Sequence, residues 1–395
     1  MTEKLTSNPY GKYNGREAEY VLRALDSEDR GKTSWTQRFE EEFCRVMGVE
    51  YAIACNSGTS GLHAALAALE AVPGDEVIMP ALTVVMDAFA AIHAGARPVF
   101  ADVDPDTFTI DPEDVKRRIT PRTKAVIAVS LYGLTADMDP VMEAAEGRGI
   151  MVVEDSAQTM LGTYKGRMGG TLGHIGVFSF ENKKHLSCGS EGGMIVTNDE
   201  ALAQRVRKFA GIGYKHLTAS AGRTSLALST AQDPAYERFD TLGLNYRMTE
   251  VSAAIGLGQL ERVHEKVEMR KKVAGLFDDA IDGCAWMIRQ KTPRNSVHSY
   301  YTYAVKYEGE TEKGIAWKEF YRRYLDAGGD GFYGACKLPY LEPVLRLNGE
   351  GVRGLCPVAE ALQPKLMQFK TNYRDLKEAE KKTAILKKLI RSIGK

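Results

Sequence analysis

Apolar residues along the chain occur in two textures. Short unbroken runs such as YAIAC stand between longer stretches in which apolar positions recur every three or four residues. A strand buried on both faces needs no alternation and reads as a continuous apolar run, whereas a surface helix shows one apolar stripe. Helical spacing covers 16–25 and 36–47. Strands are predicted over 51–55, 76–79, 98–101, 125–129, 151–153, 177–180 and 194–196, with helices between them at 62–72, 87–93, 140–148 and 200–209. Strands alternating with helices predict an α/β fold with a mostly parallel sheet sandwiched by helices. The expected division is an N-terminal arm and helix at 1–29, a large domain at 30–255, and a smaller C-terminal α/β domain at 256–395. A long helix from Thr249 to about Ile281 is expected to bridge the two domains. Beyond it lie a β-rich piece at 299–305, helices at 317–326 and 375–393, and a Gly- and Pro-rich connection at 328–354.

Composition narrows the function by exclusion. Lys plus Arg number 52 and so do Asp plus Glu, over 395 residues, so the basic excess of a nucleic-acid binder is missing. No apolar run is long enough for a transmembrane helix, and the opening residues show no apolar signal segment, so a cytoplasmic protein is expected. The six cysteines are dispersed with no CxxC pair, which reads as reduced thiols. Neither HExxH nor a Cys/His cluster at zinc spacing occurs, so no metal is expected. A Walker A loop and a GxGxxG after a strand are also absent.

Four constellations sit at predicted strand ends, where open α/β sheets bind ligands. NSGTSG, Asn56 to Gly61, joins a strand to a helix; it suits a phosphate at a helix N-terminus, and equally an ordinary N-cap. VVEDSAQ ends a strand in two acids, with Asp155 at the tip and Glu154 facing the other way. A carboxylate there holds a positive charge or merely caps a loop. SFENKKHLSCGSEGG carries Lys183 and Lys184 at the mouth of the sheet, either as a solvated pair or with one as a Schiff-base former. LNYRMTE puts Asn245 and Arg247 before the long helix, to reach an anion or to brace the helix start.

The ordered set GTSGLHAAL, EDSAQ, SFENKKHLSCGSEGGMIVTND and LNYRMTE resembles the DegT/StrS-type sugar aminotransferases, a family of fold-type-I pyridoxal 5′-phosphate (PLP) enzymes. The resemblance runs from GKTSWTQRFEEEF to CPVAEALQPKLMQF. The family pattern S-F-x-x-x-K, counted forward from Phe180, gives Lys184, and counting back five residues from Gly189 gives Lys184 again. Ser190 is one residue more than the pattern holds before Glu191-Gly-Gly. Relatives with histidine at the lysine position act as sugar dehydratases; here His185 falls one residue late, so the resemblance implies transamination.

The resemblance further implies that Asp155 pairs with the pyridinium nitrogen and that Gln158 lies near the ring hydroxyl. It assigns Gly58, Thr59 and Ser60 to the phosphate turn and gives Ser179 a side-chain contact to the phosphate. Asn245 is expected to reach the cofactor of the neighbouring subunit, making each site of a homodimer a shared one. Arg247 is left between a substrate contact and a structural role. Val84 stands where the family usually stacks an aromatic residue on the ring. The expected donor is L-glutamate, leaving as 2-oxoglutarate, and the acceptor a keto- or aldehyde-sugar, nucleotide-linked or free. GGDGFYGACKLPYLEPVL replaces the His-x-Pro-Leu-His-like loop of many nucleotide-sugar members, which keeps a free acceptor such as the C8 aldehyde of an octulosonate in view. A PLP-dependent dehydratase and a non-enzymatic PLP-binding regulator are the rival readings.

Overall fold

Seven of the apolar runs pair edge to edge. In the computed structural model, which describes residues 11–26, 34–222, 226–346 and 353–394, they are β1 (Tyr51–Cys55), β2 (Glu76–Pro80), β3 (Arg97–Ala101), β4 (Thr123–Val129), β5 (Met151–Asp155), β6 (Ile175–Ser179) and β7 (Gly193–Thr197). Their order across the sheet is β1-β7-β6-β5-β4-β2-β3. The run β3-β2-β4-β5-β6 is parallel, and β7 is antiparallel to both β6 and β1. A parallel return needs a crossover, usually a helix. The segment between β6 and β7 contains none and carries the two lysines instead, so the chain comes straight back. The ends of β1, β2, β4, β5 and β6 therefore share one edge of the sheet.

Side chains alternate across this sheet as the strand period demands. With Glu17–Leu25 as α1 and Trp35–Met47 as α2, Val77, Met79, Ile127 and Val153 pack on the side of helices α3 (Gly58–Ala68) and α4 (Met86–His93), while Ile78, Val126 and Val152 face the helix Met138–Ala145. A third cluster packs Phe178 and Phe180 against Phe39 and Phe43, which lie on the N-terminal helix Trp35–Met47.

The expected single bridging helix is two helices, Glu250–Leu260 and Val263–Ile281, broken at Glu261 and Arg262. No Gly or Pro marks the break. The reason lies in packing. The first helix is enclosed by Glu17–Leu25 and Trp35–Met47, and Gly256 and Gly258 allow that approach: a Cβ at 258 would sit 3.0 Å from the Glu17 backbone nitrogen. The second helix is apolar on one side only and packs along the last helix, Leu376–Ile393. At the junction the Arg262 side chain turns to Asn14 and Glu265.

A four-stranded antiparallel sheet follows, ordered Met287–Arg289, Thr302–Tyr307, Leu366–Lys370, Tyr333–Gly334. Its core is built on Phe277, Trp286, Phe320 and Phe369. The helix Trp317–Asp326 matches expectation, but the strands Met287–Arg289 and Leu366–Lys370 were not foreseen. The expected boundary at 29/30, the first ten residues of the arm, Gly31–Thr33 of the early motif, and 347–352 of the irregular connection lie outside the described residues.

Candidate active site

The helix α3 begins where β1 ends. Ser57 is its N-cap, and the Ser57 and Ser60 side chains each accept the other residue's backbone N–H at 3.1 Å, a capping box built from two serines. Ser60 Oγ also donates to Asn56 Oδ1 at 2.5 Å, so this hydroxyl is spent on the shape of the turn. The first-turn N–H groups of Gly58 and Thr59 have no acceptor within the helix and carry its positive dipole end. Thr59 is exposed, and Ser179, at the end of β6, stands beside Gly58: a Cβ at 58 would lie 2.8 Å from the Ser179 Cβ. Only glycine permits that approach. The structure thus brings Gly58, Thr59, Ser60 and Ser179 together, although three of them come from the start of one helix and Ser179 from more than a hundred residues later.

Asp155 ends β5, is buried, and accepts the Ala157 N–H at 2.9 Å. Burial pushes its carboxyl above the usual range, while the Ala157 N–H and the Lys184 ammonium pull it back. Glu154 does face the other way, accepting N–H bonds from Gly170, Leu172 and Gly173 at 2.8, 2.5 and 2.7 Å. Gln158 is buried, and its Oε1 accepts the Tyr132 N–H at 2.8 Å, which leaves the NH2 end as its donor.

Lys184 Nζ lies 4.5 Å from the centre of the Tyr301 ring. Burial lowers the amine pKa, and Asp155 partly restores it. Such a site favours the neutral amine that nucleophilic and proton-transfer chemistry needs. Lys183 points away, with Nζ 5.2 Å from the Tyr333 ring centre, and is exposed. His185 is buried, with Nε2 2.9 Å from the Ser299 carbonyl oxygen; burial and Arg270 push its pKa far down, so it is a neutral strut between the lysine segment and Ser299.

Three residues escaped the sequence reading. Arg270 is buried in the second half of the broken helix and donates to the carbonyls of Lys183 and Lys184 at 2.8 and 3.1 Å, and to that of Tyr301 at 2.7 Å. It therefore fixes the lysine segment against the ring beside it. Its neighbours in KVEMRKKV are charged too, so nothing in the sequence sets it apart. Tyr301 lies among other tyrosines in the β-rich run SYYTYAV, where an aromatic residue reads as packing. Asp87, buried on α4 four residues after Thr83, receives the Thr83 hydroxyl at 2.6 Å. An acid in a first helical turn reads as an ordinary dipole partner, which hid it.

Asn245 and Arg247 lie beside the end of β1. Asn56 N–H donates to the Tyr246 carbonyl at 2.8 Å, and Arg247 forms a backbone bridge with Cys55. Both side chains are exposed, and Arg247 Nε donates to Asn245 Oδ1 at 3.0 Å. Val84 is half-buried just before α4. A cavity of about 350 Å³ opens against Lys183 and Lys184, lined also by Lys12, Lys266, Arg270 and Arg374, with Glu265 as its carboxylate. Burial and neighbouring cations push Lys12 and Lys266 each down to about 8.

This donor set suits PLP. A helix start held open by a glycine receives a phosphate, a buried carboxylate with one backbone donor receives a protonated ring nitrogen, and a desolvated amine meets an aldehyde. The model of the DegT/DnrJ/EryC1/StrS aminotransferase family matches residues 12–385. The chain is similar to GDP-perosamine synthase of Caulobacter vibrioides, 41% identical over 276 residues that cover 68% of each chain. It is also similar to GDP-perosamine synthase of Escherichia coli O157:H7, 36% identical over 74% of this chain and 75% of the relative. The solved aminotransferase from Psychrobacter cryohalolentis superposes with a TM-score of 0.86 at 30% identity, over 95% of this chain and 97% of its own. Motifs, geometry and relatives agree: the chain belongs to the DegT/DnrJ/EryC1/StrS aminotransferase family and is a PLP-dependent sugar aminotransferase.

Proposed function

We propose that this enzyme moves an amino group from L-glutamate to a keto-hexose linked to a nucleoside diphosphate. The observation that carries this reading is the cation-lined cavity against Lys184, where Lys12, Lys266 and Arg374 outnumber the single carboxylate Glu265. A diphosphate supplies the missing negative charge, and a free neutral sugar does not. The relatives named GDP-perosamine synthase support the same acceptor class.

Bound PLP supplies an aldehyde to accept the amino group and a ring to hold the electrons released at Cα. The chain does the rest. Gly58 and Thr59 N–H groups, with the Thr59 and Ser179 hydroxyls, bind the phosphate, and Ser60 shapes their turn. Asp155 holds the proton at the ring nitrogen, and the Gln158 NH2 donates to the ring hydroxyl. With PLP held there, Lys184 Nζ would serve as the base that takes the proton from the donor Cα and the acid that returns it. Arg270 and His185 hold that amine in register. Asn245, exposed and with its Oδ1 taken by Arg247, offers its amide N–H to the phosphate of a second copy, so the working unit is a homodimer with shared sites.

The test is direct. Purified enzyme with L-glutamate is offered a panel of nucleoside-diphosphate keto-hexoses and, separately, free keto- and aldehyde-sugars, and amino sugar is counted by mass spectrometry. Turnover confined to the nucleotide-linked set is expected. Turnover of free sugars alone, or loss of water without gain of nitrogen, would overturn the reading.

A further inference from the structure

Asp87 is the residue of the site that the reaction as described leaves unused. It sits on the first turn of α4 with no exposed surface, its Oδ2 accepts the Thr83 hydroxyl at 2.6 Å, and its Oδ1 has no hydrogen-bond partner among the described residues. An enclosed, unpartnered carboxylate oxygen is costly. The neighbouring carboxyl that it interacts with is that of Asp155, also buried. Two buried carboxylates in contact cannot both be ionised unless a cation stands between them. The Lys184 charge favours the anion on Asp155, whereas Asp87 is faced by that anion and by the Thr83 hydroxyl.

We infer that Asp87 is a protonated positioning residue that donates from Oδ1 to Asp155 and holds that carboxylate, as the anion of the pair, toward the ring nitrogen. One proton turns an orphaned acceptor into a donor and leaves a single negative charge on the pair. Burial and the charge of Asp155 both raise the Asp87 carboxyl far above its usual range, in the same direction. Asp155 then carries two donors, Ala157 N–H and Asp87, which aim it and temper its basicity. The inference rests on the proposed contact of Asp155 with the ring nitrogen.

The experiment compares wild-type holoenzyme with Asp87→Asn, Asp87→Ala and Asp155→Asn, reading the pH titration of the bound coenzyme's absorbance and the 15N shift of its ring nitrogen. Asp87→Asn keeps a donor and changes no charge, so its titration midpoint should stay within about 0.3 pH units of wild type. If Asp87 were ionised, the same substitution would remove a negative charge and move the midpoint down by about one unit or more, overturning the inference. Asp87→Ala removes the donor and should move the midpoint up; no movement in either variant would make Asp87 a packing residue and overturn it as well. Where Asp87→Ala fails to hold coenzyme, the better-filling Asp87→Leu takes its place: its midpoint should move up, and no movement would overturn the inference. A ring-nitrogen shift unchanged in Asp155→Asn would locate the failure in the role of Asp155. A thermal scan of the apoenzymes gives a readout free of coenzyme. The neutral Asp87 is favoured in the fold, so wild type should lose stability relative to Asp87→Asn as pH rises.

Discussion

Glu154 and Asp155 are neighbours on one strand, both buried, and they face opposite sides of the sheet. Glu154 is met by three backbone N–H groups that fold the Gly170–Gly173 turn around it. Asp155 is met by one backbone N–H, a lysine's charge and a second carboxyl. A saturated buried acid is a structural pin. An acid with lone pairs to spare, close to an amine whose proton is loosely held, is a place for chemistry. The contrast teaches that burial alone does not mark a site; the balance of donors does.

Breaking the reactive side should cost activity with little stability. Lys184→Ala should lower turnover by about a thousandfold, measured as amino sugar formed per enzyme, because the proposed proton carrier is gone. Lys183→Ala should leave kcat near wild type, since that amine faces Tyr333. Asp155→Asn should lower turnover by about a hundredfold while equilibrium dialysis still finds coenzyme bound, because the phosphate contacts remain.

Breaking the saturated side should do the reverse. Glu154→Ala leaves two buried N–H groups and one half-buried one without their acceptor and should lower the unfolding free energy by about 3 kcal/mol in urea titrations. Its residual folded fraction should keep the wild-type KM. An unchanged stability with lost turnover would erase the distinction between the two sides.

The smallest effect lies further out, at the basic cavity. Lys266→Met should raise KM for a nucleotide-linked acceptor about tenfold with kcat little changed, the worth of roughly one well-placed charge. Lys12 and Lys266 lose their protons near pH 8, so wild-type acceptor affinity should fall as pH rises through about 8. The variant should show a shallower fall in a pH profile of KM.

Much of this was legible beforehand, for physical reasons. Buried parallel strands are unbroken apolar runs, so YAIAC declared β1 to the residue. Gly58, Asp155 and Ser179 lie at or just past the ends of β1, β5 and β6, and each follows an apolar run that the sequence displays. What stayed hidden depends on contacts between distant segments. The helix break at Glu261–Arg262 comes from what each half packs against. The strand Leu366–Lys370 is short and pairs with two partners far away in the chain. Arg270 is one cation among several on its helix until the fold brings the Lys183 and Lys184 carbonyls to it. Asp87 gains meaning only when Asp155 arrives beside it.

The central claim is that Lys184, enclosed and held near Tyr301 and Asp155, carries the coenzyme while Lys183 does not. Reduction of the holoenzyme with borohydride, digestion and peptide mapping reads this directly. The account predicts a pyridoxyl group on Lys184 alone; the label on Lys183, or spread over both lysines, would contradict it.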